Sequence, residues 1–144
     1  MSERPRLLVA DPNPASRLAV LNALREPYEV IPLPEEEDPV RATRRIRPSA
    51  LLLAVPSGRA QGALRACRSL KTEANPVKVA VLDPGGRLSK PEEAIEAWLA
   101  DGILTGMAEP EALRAFVAAV LAGERPVVLG VVPGRGWIER LTGR

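Results

Sequence analysis

Ala50-Leu51-Leu52-Leu53-Ala54-Val55, held between Pro48 and Pro56, is an unbroken apolar run too short for an ordinary helix. A strand with one wet face would alternate apolar and polar residues. This run does not alternate, so it reads as a strand buried on both faces, which needs a covering layer on each side of its sheet. The neighbouring segments supply such layers. Leu7-Leu8-Val9-Ala10 is a first strand, and Asn13-Pro14 opens a helix that carries Leu18, Leu21 and Leu24 to residue 25. Tyr28 to Leu33 reads as a second strand; Pro32 lacks an N–H, which puts that strand at a sheet edge or at a bend. A helix over Asp38 to Ile46, with Val40 and Ile46 inward, leads into the run at 50–55. Beyond it come a loop at 56–62, a helix from Ala63 to Lys71 and a fourth strand, Val77 to Leu82.

The second half repeats the alternation. Asp83-Pro84-Gly85-Gly86 is a turn. Ser89-Lys90-Pro91-Glu92 has the spacing of a capping box before a stripe of Ala94, Ile95, Trp98 and Leu99. Gly102 to Thr105 is a short fifth strand. Ala112, Leu113, Phe116, Val117, Val120 and Leu121 form an amphipathic helix that Gly123 ends. Five strands separated by helices make an α/β fold with a parallel sheet covered on both faces, and the flavodoxin-like order 2-1-3-4-5 suits this length. Residues 1–123 then form one domain and 124–144 a C-terminal extension. In the extension, Val127 to Val132 could add a strand, Pro133-Gly134-Arg135-Gly136 a turn, and Trp137, Ile138 and Leu141 one face of a short helix. Such a strand either packs on its own sheet or pairs with a second copy in a homodimer.

Composition excludes several function classes. The 144 residues carry no histidine and a single cysteine, Cys67. No internal disulfide, cysteine zinc cage, Ser–His–Asp set or Cys–His set can therefore form. Cys67 lies at an inward helical position and reads as a small buried hydrophobe. A formal charge of +2 is too small for a dedicated nucleic-acid surface. The acids Glu35, Glu36, Glu37 and Asp38 stand before Arg41, Arg44, Arg45 and Arg47, as the two ends of a helix dipole prefer. The start of the chain has neither a signal peptide nor a membrane span, so the expected location is cytoplasmic. No glycine loop is followed by the lysine and hydroxyl of a phosphate cradle.

Three passages in this order resemble the CheY-like receiver family of bacterial two-component signalling. They are Leu8-Val9-Ala10-Asp11-Pro12-Asn13-Pro14, Arg47 to Val55 with Gly62 beyond, and Ala100 to Leu113. The resemblance spans roughly residues 6–122. It implies a magnesium-assisted phosphoacceptor aspartate at the end of the third strand, which matches Ala54. Of the acidic pair after the first strand only Asp11 remains, Pro12 filling the other place. The switch hydroxyl falls on Val81 or Leu82 and the switch aromatic on Ile103. The conserved lysine matches Gly106, and the proline after it matches Met107. Asp83 could face Asp11 across the cleft, but two carboxyl groups lack a third protein arm for a metal.

A pseudo-receiver is the expectation: a non-enzymatic, phosphorylation-independent signalling or scaffold module that binds a protein partner and needs no cofactor or metal. The resemblance places the partner face on the fourth helix, fifth strand and fifth helix, here bearing Glu96, Trp98 and Arg114. Trp98 is spaced with Ile95 in a way that also fits the core. Two alternatives are a DNA-associated transcriptional regulator without its own helix-turn-helix, and a small flavodoxin-like nucleotide-binding protein.

Overall fold

The computed structural model describes residues 4–56, 58 and 60–130. Its elements follow the order β1 (Arg6–Ala10), α1 (Pro14–Leu24), β2 (Glu29–Pro32), α2 (Pro39–Ile46), β3 (Ala50–Ala54) and α3 (Ala60–Lys71). These are followed by β4 (Lys78–Asp83), α4 (Pro91–Trp98), β5 (Gly102–Thr105), α5 (Pro110–Leu121) and β6 (Val127–Leu129). All strand pairs are parallel, in the order β2-β1-β3-β4-β5-β6. The expected order 2-1-3-4-5 is present, with β6 added outside β5. β2 is an edge strand, so the missing N–H of Pro32 breaks no ladder on its outer side.

Every residue of β3 is buried. Leu51 and Leu53 face a core with Leu8, Val79, Val81 and Ile103, covered by Ala42 of α2, Cys67 and Leu70 of α3, and Ile95 and Trp98 of α4. Ala50 and Leu52 face the opposite core, with Leu7, Val9, Ala80 and Leu104, covered by Val20 and Leu24 of α1 and Phe116, Val117 and Val120 of α5. Strand period 2 thus divides the apolar run between the two layers.

Local chemistry sets several boundaries. Asn13 caps α1, its side-chain oxygen accepting from the Ala15 and Ser16 amides at 2.9 and 3.2 Å. Asp38 caps α2 through the Val40 amide. The capping box expected at Ser89 does not form. α4 begins at Pro91, so Lys90 is the cap residue and makes no side-chain cap bond. Leu99 leaves the expected apolar stripe: it stands at the C-cap with φ 62° and is exposed. At the sheet's amino edge Lys71 Nζ meets Asp101 Oδ2 at 2.6 Å. The same oxygen accepts from the Val79 amide at 2.8 Å, tying the end of α3 to β4 and to the turn before β5.

After α5, Gly123 turns the chain at φ 83°. β6 pairs with β5 in the register Ile103↔Val127, Leu104↔Val128, Thr105↔Leu129. Residues 127–129 of the expected sixth strand therefore belong to the main sheet. The expectations for residues 131–144, including Val131, Val132, Trp137, Ile138 and Leu141, lie outside the described residues.

Two predictions follow from the packing. A methyl added at Gly102 would lie 2.6 Å from Val120 Cγ2 and 3.2 Å from Phe116. Gly102→Ala should cost about 1–3 kcal/mol in denaturant unfolding by forcing α5 off β5. Cys67 is fully buried and its S–H donates to the Trp98 carbonyl at 3.2 Å. Burial first, and Asp101 second, push its pKa from 9.0 up to about 12, against a smaller lowering by Lys71. The unfolded thiol ionises first as pH rises, so this contribution to stability is intact below pH 9 and is lost between 9 and about 12. The native thiol should resist a disulfide reagent at pH 8 and react on unfolding; rapid native labelling would contradict this.

Candidate functional site

In open α/β sheets, ligand chemistry gathers outside the carboxyl ends of the strands. Here that rim is formed by Asp11 after β1, Ala54 at the end of β3, Asp83 at the end of β4 and Gly106 after β5. Ala54 pairs with Leu82 and is almost fully buried. Its methyl group can neither attack a phosphoryl donor nor ligate a metal.

The polar groups around it are engaged in holding loops. Asp11 Oδ1 accepts from the Asn13 amide at 3.0 Å and Oδ2 from Ser16 Oγ at 2.5 Å, while its carbonyl accepts from Arg17 Nη1 at 2.9 Å. Asp11 thus secures the entry to α1. Asp83 has its carboxyl group engaged in the same way. It is wholly buried, and its carboxyl oxygens accept from the Arg87 amide at 2.9 Å, the Leu88 amide at 2.8 Å and Thr105 Oγ1 at 2.9 Å. Its carbonyl also accepts from the Gly86 and Gly106 amides. One residue therefore fixes the β4–α4 loop and ties it to the end of β5. No group of three potential metal-ligating side chains occurs among the described residues.

The positions matched to the receiver switch are aliphatic and packed. Val81 and Ile103 are register partners, both wholly buried on the α3/α4 side. Leu82 lies on the other side of the sheet and lines a slot of about 120 Å³ with Val20, Leu104, Met107 and Leu113. Gly106 has φ 85°, a left-handed conformation that resists any side chain. A lysine at this backbone position would be strained.

Two features of the rim escaped the sequence reading. Thr105, at the end of β5, supplies the hydroxyl that meets Asp83. Arg87 lines the broad rim hollow of about 690 Å³ together with Asp11, Pro12, Pro56, Pro84 and Met107. The Asp-Pro-Gly-Gly turn was the available signal, since a loop nucleated there must bring the following residues back over the rim.

The expected partner face is corrected in one respect and altered in two. Trp98 is 5% exposed and belongs to the core, as its helical spacing with Ile95 requires. Glu96 pairs with Arg125 at 3.2 Å; Arg125 also donates to the Ala100 and Ile95 carbonyls. Arg114 donates to the Ala23 carbonyl at the end of α1. β6 runs along the outer edge of β5, so the chain occupies that edge with its own residues.

Removing the Asp83 side chain should free two amides and a hydroxyl at once. Asp83→Ala is expected to lower stability by about 2–4 kcal/mol and Thr105→Val by about 1 kcal/mol. Amide hydrogen exchange should accelerate over residues 84–90 in the first variant; unchanged exchange there would contradict the assigned role.

No family model matches the chain, and no curated protein matches it. Solved structures do. A response regulator signal receiver domain from Bermanella marisrubri superposes at TM-score 0.68 with 24% identity, covering 83% of this chain and 99% of its own. A response regulator from Thermotoga maritima gives 0.67 and 23%, covering 83% and 98%. The chemotaxis response regulator CheY4 of Vibrio cholerae gives 0.63 and 17%, covering 81% and 98%. The chain therefore carries the CheY-like receiver fold, with one strand added beyond the fifth.

Proposed function

We propose that this chain is a pseudo-receiver: a signalling or scaffold module that works through protein contacts and without phosphorylation. The carrying observation is Ala54 at the end of β3, where the resemblance calls for a phosphoacceptor aspartate. The rest of the rim agrees. Asp11 is committed to the α1 entry, Gly106 replaces the lysine, and Val81 and Ile103 are packed aliphatics. A receiver switches because a phosphoryl group biases two arrangements of its loops. Here the input is missing, and the Asp83–Thr105 bond holds the loop after β4 against β5. A stable shape offered to a partner is the use left to the fold, so regulation would come from partner binding or from abundance. Protein partners are in keeping with the names of the structural neighbours, which are response regulators.

The test is incubation with acetyl phosphate, and separately with beryllofluoride and magnesium, followed by intact mass and amide NMR. Unchanged mass and no saturable shift around Ala54 are expected. A phosphorylated adduct, or saturable beryllofluoride binding at the rim, would overturn the reading.

A further inference from the structure

We propose that the groove above Ala54, between α2 and α3, receives a basic and aliphatic segment of a protein partner. This rests on the pseudo-receiver reading, since the groove is available to a side chain only if no phosphoryl group or metal uses it. The cavity holds about 360 Å³, within the range of ligand-sized sites. Its floor is apolar: Leu33, Leu53, Ala54 and Ala63 line it, and Gly62 and Ala66 are too small for α3 to fill it.

Among the described residues, the charge at the mouth has one sign. Glu35, Glu37 and Asp38 line the lip and Asp11 lies deeper; no lysine or arginine lines the groove among the described residues. This concentration of acid stands out in a chain whose formal charge is +2. The N-termini of α2 and α3 open on the same end, but each contributes only about half a positive charge. Four carboxyl groups stand against them: Glu37 is paired with Arg45 at 2.8 Å and Asp11 is engaged by the Asn13 amide and the Ser16 hydroxyl, which leaves Glu35 and Asp38 as the main charge of the lip. Glu35 makes no ion pair or side-chain hydrogen bond among the described residues. Asp38 spends one oxygen on a long 3.4 Å cap contact. An arginine or lysine can lay its methylene stem on such a floor and its charged head against such a lip. The chain's own tertiary contacts point the same way, because β6 takes the outer edge of β5 and Arg125 pairs with Glu96 of α4.

The full chain would be titrated against two fluorescein-labelled hexapeptides, one alternating leucine with arginine and one alternating leucine with glutamate. Anisotropy should show saturable binding of the arginine peptide, at least about ten-fold tighter than the glutamate peptide. Glu35→Gln with Asp38→Asn keeps a side-chain acceptor at the α2 cap and should weaken binding by about five-fold. Gly62→Leu is the steric arm. Gly62 lines the groove and a Cβ there meets nothing within 4 Å, so the groove wall has room for a larger side chain. It should weaken binding by about ten-fold.

Equal binding of the two peptides, binding unaffected by Gly62→Leu, or no saturable binding would each overturn the proposal. A beryllofluoride titration of the same sample separates the two readings. Peptide failure without a beryllofluoride response removes only the groove assignment, whereas a beryllofluoride response removes both.

Discussion

Burial of Ala50–Ala54 on both faces is the constraint from which the remaining geometry descends. A central strand with no polar residue can lie only in a sheet covered on both sides, so α1 and α5 take one face and α2, α3 and α4 the other. That arrangement brings the carboxyl ends of β1, β3, β4 and β5 together on one rim. It also gives Ala54 its meaning. The same methyl group on a helix surface would be unremarked, but at the end of the central strand it lies at the carboxyl rim, where ligands of open α/β sheets gather.

Around that point the polar residues are organised to stabilise. A buried carboxyl group without partners would be expensive, and Asp83 escapes the cost by accepting from two amides and a hydroxyl. Each bond recruited for that purpose is a bond withdrawn from ligand chemistry. The β4–α4 loop is held to the end of β5 by these contacts. Gly106 belongs to the same arrangement, since its amide donates to the Asp83 carbonyl at 2.7 Å and its φ of 85° admits that turn.

The extra strand alters which surfaces are free. β6 takes the hydrogen bonds along the outer edge of β5, and Arg125 reaches back to Glu96 and to the carbonyls at the end of α4. The acidic, apolar-floored groove at the opposite side of the rim is left open by the small residues at the start of α3.

The strands, helices and their order were legible in the residues, because apolar period and helix-opening residues act over short distances. The unbroken run at 50–55, Pro32 at an edge strand, Asn13 at a helix entry and the inward Cys67 all depend on neighbours a few positions away. Trp98 was half legible: its spacing with Ile95 pointed to the core, and a family expectation pointed to the surface. The bond of Thr105 to Asp83, the reach of Arg125 to Glu96 and the emptiness of the groove were not legible. Those contacts join residues 22 and 29 positions apart, and they exist only once strand register and helix placement have put the side chains within reach. Local pattern determined the layers, while tertiary structure decided which polar groups found each other and which surfaces remained uncovered.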